Sequence, residues 1–268
     1  MHPLDKATSL QEIVSGSLQG ETSDAYWNFG GPFGGVTAAT LLRAVLDRAD
    51  RIGDPCAVTV NFTAAIARGP FEVTVRSVRT GRSVQHWYTE IRQGETVAAN
   101  ATIVCARRKA GWSHQPATPP PAPPPEAITA MTTDGRNAFV GQFEFRFVEG
   151  ALLPSAQPAE TPRSARSCLW LNNAVPRDWD FIGLIAFCDL FFGRIYHVKG
   201  TIFPIATVSM TAYFHVDRDC LAALGSAPLL GVADANVFHA GFFDQTAELW
   251  SAGGRLLATT TQIVTYRE

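Results

Sequence analysis

The stretch FIGLIAFCDLFF, Phe181 to Phe192, decides how this chain is read. Eleven of its twelve residues are apolar or Gly, and the twelfth is Asp189. A helix that is apolar on every side is a buried helix. The pattern predicts one over 179–192, with Asp178 as its N-cap. A lone carboxylate inside it must find partners or give up its charge, because desolvating an unpaired charge is costly. Either outcome perturbs its pKa, and perturbed carboxylates are enriched at active sites. The plainer alternative is an Asp paired with an Arg or capping a backbone group.

Around this helix the hydrophobic period is two. GQFEFRF (141–147) and SARSCLWLN (164–172) read as strands before it, and strands are predicted near 203–216, 229–240, 241–251 and 254–267 after it, the last two joined at Gly253-Gly254. Further upstream, HQPATPPPAPPPEA (114–127) cannot pair in a sheet and predicts an extended, semi-rigid spacer between domains, with a ligand for a proline-binding module as the other reading. Ahead of it the same order of elements appears. A short surface helix is expected at 5–14 and a strand at 16–22. Helical spacing then runs from Val36 through Leu41, Leu42, Val45 and Leu46, with Gly34 and Gly35 at its start. Val58, Val60, Phe62, Ala64 and Ile66 alternate with Thr59, Asn61 and Thr63, and strands near 71–76, 83–93 and 95–107 complete the unit. The chain therefore divides into an N-terminal unit (1–112), a proline-rich linker (113–135) and a C-terminal unit (136–268).

The two units align on each other. Thr59-Val-Asn-Phe-Thr-Ala64 matches Thr207-Val-Ser-Met-Thr-Ala212, and the same offset sets Gly35-Val-Thr-Ala38 against Gly183-Leu-Ile-Ala186. Near the ends, Gly94 matches Gly254, and Ile103-Val104-x-x-Arg107 matches Ile263-Val264-x-x-Arg267. The copies differ where polarity matters. Leu41 stands opposite Asp189 and Thr102 opposite Gln262, while Thr207 has a counterpart in Thr59. Only the second half holds Asp, Thr and Gln together, as a duplicated dimer would after losing one of two sites.

Composition narrows the function. Hydrophobic content of 46%, charged content of 17% and a formal net charge of -2 describe a globular chain with no electrostatic reason to bind nucleic acid or an anionic membrane. MHPLDKATSLQEIV has no apolar core of signal-peptide length and no run reaches transmembrane length, so a cytoplasmic location is expected. The five cysteines are widely spaced, without CxxC, and read as reduced core residues with neither a disulfide framework nor a metal site. His86, His197, His215 and His239 lack metal-ligand spacing.

The GGxxAAxLLRA pattern (Gly34–Ala44), the isolated Asp189, the IAT…FH segment (Ile205–His215) and the closing G-x-L-L-A-T-T-T-Q (Gly254–Gln262) resemble the double hot-dog acyl-CoA thioesterases of the thioesterase II type. The resemblance covers about residues 20–110 and 165–267; the proline-rich region between departs from it. It implies an α+β double hot-dog, two antiparallel sheets each wrapped around a central helix, and an acyl-CoA substrate hydrolysed without a cofactor. The family's Asp–Thr–Gln set falls on Asp189, Thr207 and Gln262.

The residue types suit that chemistry. A thioester has a good leaving group, so its hydrolysis mainly needs a positioned water and a polarised carbonyl. A desolvated carboxylate serves as general base, the part taken by Asp189. Period two puts Thr207, Ser209 and Thr211 on one strand face, opposite Val208 and Met210; Thr207 donates to the carboxylate or the water, and Gln262 holds the water. No GxSxG occurs, so no covalent route is indicated. Gly34 and Gly35 either bind substrate, aiming helix N–H groups at the developing oxyanion, or only allow tight packing. His215 is a possible site residue, and Arg107, Arg108 and Lys109 either meet CoA phosphates or form a solvated strand end. Some of the seventeen Phe and six Trp line an acyl tunnel. A hydratase or dehydratase on the same fold, or a non-catalytic acyl-CoA binding module, are the rival functions. A homodimer is expected from exposed sheet edges.

Overall fold

The computed structural model describes residues 1–152, 154 and 157–267. The first half contains α1 (Pro3–Ala7), β1 (Gln11–Val14), β2 (Ser17–Glu21), α2 (Gly34–Leu46), β3 (Asp54–Phe62), β4 (Pro70–Thr80), β5 (Val84–Gln93) and β6 (Thr96–Ala106). The second contains β7 (Phe143–Glu149), β8 (Ser167–Asn173), α3 (Phe181–Cys188), α4 (Arg194–Lys199), β9 (Ile205–Phe214), α5 (Arg218–Ala222), β10 (Leu229–Asp234), β11 (Phe238–His239), β12 (Phe242–Ser251) and β13 (Leu256–Tyr266).

The strands form one antiparallel sheet in the order β1-β2-β4-β5-β6-β3-β9-β13-β12-β10-β8-β7, with β11 paired to β12. From either outer edge inward the order is the same: β1, β2, β4, β5, β6, β3 on one side and β7, β8, β10, β12, β13, β9 on the other. The two sheets expected from the sequence are therefore continuous. They join where β3 pairs antiparallel with β9 and Asn61 sits opposite Ser209. Those two residues are matching positions of the repeat, so they lie where a pseudo-two-fold axis crosses the sheet.

Inside the curve, α2 and α3 pack on each other and on the inner faces of both halves. The good helix formers Ala38, Leu41, Leu42 and Ala44 are fully buried in α2, and Ile182, Leu184, Ile185 and Phe187 in α3. Burying each of the larger side chains stabilises the fold by about 2 kcal/mol. The helices approach so closely that a Cβ on Gly35 would lie 2.5 Å from the Ala186 carbonyl oxygen.

Several boundaries differ from the sequence reading. The helix expected at 5–14 stops at Ala7, where the Thr8 hydroxyl donates to the Leu4 carbonyl at 2.9 Å, and Gln11–Val14 pairs with β2 instead. The apolar helix covers 181–188 rather than 179–192. Its N-cap is Asp180, not Asp178: Asp180 accepts from the Gly183 N–H at 2.8 Å, while the Trp179 N–H is already bonded to Gly225. The strand expected at 229–240 breaks at 235–237, where the Asp244 carboxylate accepts from the Asn236 and Val237 amides.

The proline-rich segment is extended, as its composition requires, but it lies docked on the fold. Gln115 donates to the Gly254 carbonyl at 2.9 Å and accepts from the Leu256 N–H at 2.9 Å, and the Trp170 indole donates to the Pro123 carbonyl at 2.8 Å. Ala122 and Ile128 cover an apolar patch built from Cys168, Trp170, Leu230, Val232 and Trp250. Among the described residues no helix is long and apolar enough to cross a membrane.

Candidate active site

The first N–H groups of a helix have no acceptor inside it. At α2 the N-cap residue is Phe33, whose side chain supplies none. An acceptor arrives from the other half of the molecule: the Asp189 carboxylate takes a hydrogen bond from the Gly35 N–H. The Gly34 N–H beside it has no acceptor among the described residues. The carboxylate can lie where it does because residue 34 is glycine, since a Cβ on Gly34 would lie 2.6 Å from Asp189 Oδ2.

Asp189 follows the last residue of α3, its own N–H bonded to the Ala186 carbonyl at 3.3 Å. On its other side, Gln262 of β13 donates from Nε2 to Asp189 Oδ1 at 3.0 Å and to the Cys188 carbonyl at 3.4 Å. Thr207 Oγ1 in turn donates to Gln262 Oε1 at 3.4 Å. The three residues singled out in the sequence thus form one chain, Thr207 to Gln262 to Asp189, closed by the Gly35 N–H. Thr207 donates to Gln262, where the sequence reading has it donate to the carboxylate or to the water.

Period two misjudges how Thr207 reaches the site. Gln262 pairs with Met210, Ile263 with Ser209 and Val264 with Thr207, so Val208 is an extra residue in β9, a bulge. Past it the facing of the strand reverses. Thr207 shares the inner face with Gln262, Met210 and Val264, all three buried, whereas Ser209 and Thr211 face outward. The first half has no such bulge there, and Thr59 points away from the core, where its hydroxyl meets that of Thr211 at 3.0 Å.

Burial pushes the Asp189 carboxyl from its ordinary 3.8 up to about 7, while the Gln262 amide and Gly35 N–H oppose that rise. The residue keeps a partial opening to solvent. The Cys188 thiol beside it is pushed up by burial and stays protonated. Asp189 is thus the group poised to exchange a proton near neutral pH.

The other sequence candidates lie elsewhere. His215 meets Thr259 at 3.0 Å at the end of β9, and Arg108 donates to the Phe214 carbonyl. Two residues with polar roles near the site were missed, Arg194 and Gln245. Gln245 left a signal: it stands between Phe243 and Ala247 at a core-facing position of β12, where a polar residue needs a buried partner. Among the described residues no group of His, Cys, Asp and Glu has the arrangement to hold a metal.

Residues 23–106 match the family model of the acyl-CoA thioesterase N-terminal domain, and residues 116–266 that of the acyl-CoA thioesterase C-terminal domain. The chain is similar over its whole length to a conserved protein of unknown function with hot-dog fold from Alicyclobacillus acidocaldarius, at 36% identity, TM-score 0.94 and 99% coverage of that protein. A candidate thioesterase II from Thermobifida fusca shares 20% identity at TM-score 0.82, over 100% of this chain and 98% of that one. An acyl-CoA thioesterase II from Mycobacterium marinum shares 18% identity at TM-score 0.77, over 98% of each chain. No curated protein matches the sequence significantly.

Proposed function

Because the chain belongs to the acyl-CoA thioesterase family, we propose that it hydrolyses fatty or related acyl-CoA to free acid and CoA through a water activated by Asp189. The observation that carries this reading is the held carboxylate: its charged form accepts from Gln262 and the Gly35 N–H, at the positive end of α2, with a pKa of about 7. In its ionised form Asp189 takes a proton from water, and the hydroxide attacks the thioester carbonyl carbon. The Gly34 N–H is the donor left for the tetrahedral oxyanion. When the intermediate collapses, the C–S bond breaks and Asp189 returns the proton to the leaving CoA sulfur.

Gln262 keeps the carboxylate aimed, and Thr207 fixes which end of the Gln262 amide faces it, leaving the Thr207 oxygen free to accept from the water. Phe192, stacked on Phe145 at 5.3 Å, offers apolar surface for an acyl chain three residues past the base. Two such chains would pair through an exposed sheet edge in the cytoplasm; the fully exposed β1 supports that pairing.

The test is thiol release from a panel of acyl-CoA esters by wild type and Asp189→Asn. Loss of a general base is expected to lower turnover by about 10²–10⁴-fold. In the wild type, activity should rise with pH through about 7, as the carboxylate ionises. Near-normal turnover in the variant would remove Asp189 from the role. Loss of enoyl-CoA absorbance without thiol release would instead favour a hydratase.

A further inference from the structure

Arg194, the first residue of α4, is 1% exposed. Among the described residues no carboxylate pairs with it directly; Asp234 reaches it only at a distance. Its hydrogen bonds go to neutral oxygens. Nε donates to the Phe192 carbonyl at 2.9 Å and to Gln245 Oε1 at 3.3 Å. Nη1 donates to Ser167 Oγ at 2.7 Å and to the Ala165 carbonyl at 3.2 Å, and Nη2 to the Phe192 carbonyl. A buried cation without an adjacent acid is costly, so what it holds is of interest.

Gln245 shows what that is. It sits directly across from Gln262 in the β12–β13 pair, and both amides reach the connection from α3 to α4. Gln262 donates to the Cys188 carbonyl at 3.4 Å and Gln245 Nε2 to the Phe191 carbonyl at 3.4 Å, while Arg194 takes that of Phe192. The Cys188 carbonyl at the end of α3 and the Phe191 and Phe192 carbonyls beyond it all need donors; here side chains supply them and hold the path of 188–193. That path determines where Asp189 points.

We propose that Arg194 and Gln245 are positioning residues for the Asp189 carboxylate, acting through the Phe191 and Phe192 carbonyls. The inference rests on Asp189 being the base. The polar groups that face Asp189 are the Gly35 amide from α2, the Gln262 amide from β13 and the Cys188 thiol from its own segment, none of them a formal charge. A carboxylate that drifts from the first two loses the bonds that favour its ionised form.

Gln245→Met keeps length and burial while removing the donor and the acceptor. With whichever of butanoyl-, octanoyl- and palmitoyl-CoA the wild type hydrolyses fastest, kcat should fall about ten- to a hundredfold with KM little changed, as expected for a misplaced base. The acid limb of the pH–rate profile should move up by about half a pH unit or more. In an Asp189→Asn background the same change should add nothing. If Gln245→Met does not fold, Arg194→Lys decides, since one ammonium cannot serve Phe192 and Gln245 as the guanidinium does; the same limb shift is expected. A folded variant with wild-type kcat and an unmoved acid limb, or an equal further loss in the Asp189→Asn background, overturns the proposal. Normal turnover in Asp189→Asn alone overturns the underlying assignment instead.

Discussion

Replacing Asp189 by Asn should make the protein more stable at neutral pH, by an amount set by the same burial that suits the carboxylate to the proposed role of base. Asp189 titrates at about 7 when folded, against an ordinary 3.8. At about 1.4 kcal/mol per pH unit, that difference corresponds to about 4 kcal/mol of disfavoured charge. The partial opening to solvent trims the figure, so about 2–4 kcal/mol is expected. The sign follows from linkage. Below about 3.8 the carboxyl is neutral in both states and costs nothing; as pH rises the unfolded chain ionises first, and the folded state loses stability until pH passes about 7. An amide of the same size never ionises. Thermal unfolding of wild type and Asp189→Asn, compared at matched pH, should therefore give melting midpoints that diverge between about pH 4 and pH 8, with the variant higher at the alkaline end by several degrees. Other ionisable groups cancel in the difference. A gap that stays flat across this range would mean the carboxylate is not raised, and the physical case for a neutral-pH base would fail with it.

Gly34→Ala places a methyl 2.6 Å from the present position of Asp189 Oδ2. The carboxylate must move, and turnover should fall by about a hundredfold in a folded protein, read by steady-state thiol release. Thr207→Val removes the hydroxyl that orients Gln262 and should cost about tenfold in kcat, the worth of one hydrogen bond, while Thr207→Ser restores most of it. Away from the site, Arg177 bonds Asp5 at 2.8 Å and Asp180 at 2.7 Å with its own side chain 8% exposed. Arg177→Met should destabilise by about 2 kcal/mol in urea unfolding, toward the low end for such a cluster because both acids are partly exposed.

The repeat made most of this fold legible. Two units of a helix followed by antiparallel strands, and three polar residues in one half, follow from period, offset and the places where the copies disagree; that the strands wrap the helices is what the resemblance to double hot-dog thioesterases implies. What stayed hidden were local features with no periodic trace. The bulge at Val208 turns Thr207 inward, yet nothing in Ile205–Phe214 marks one residue as extra. The path from the helix end at Cys188 is held by donors from β12 and β13, far away in sequence, as well as by Arg194 nearby, so an apolar run alone overextends the helix to 192. Asp178 and Asp180 look alike as caps; the Trp179 N–H bonded to Gly225 separates them, and that is a tertiary fact.

The caps also give a reason for one half of a near-symmetric molecule to carry the acid of the proposed site. Both central helices begin inside the protein and both need an anion or acceptor at that end. α3 has one nearby, Asp180, bonded to the Gly183 N–H at 2.8 Å. The matching position before α2 is Pro32, which cannot cap, and the N-cap Phe33 offers nothing. Among the described residues the side chain that serves the start of α2 is Asp189, reaching across from the second half, while the matching position in the first half is Leu41, fully buried. A helix end with a local cap has no room for a visiting carboxylate, and a helix end without one draws it in. The second half therefore supplies the acid together with Gln262, and the first half the Gly35 N–H at the end of α2. Gly35→Ala would test that division of labour poorly, since its Cβ would strike the Ala186 carbonyl at 2.5 Å and unsettle the helix crossing; Gly34, which borders Asp189 and Phe62 rather than that crossing, is the position where the site can be disturbed while the crossing is left alone.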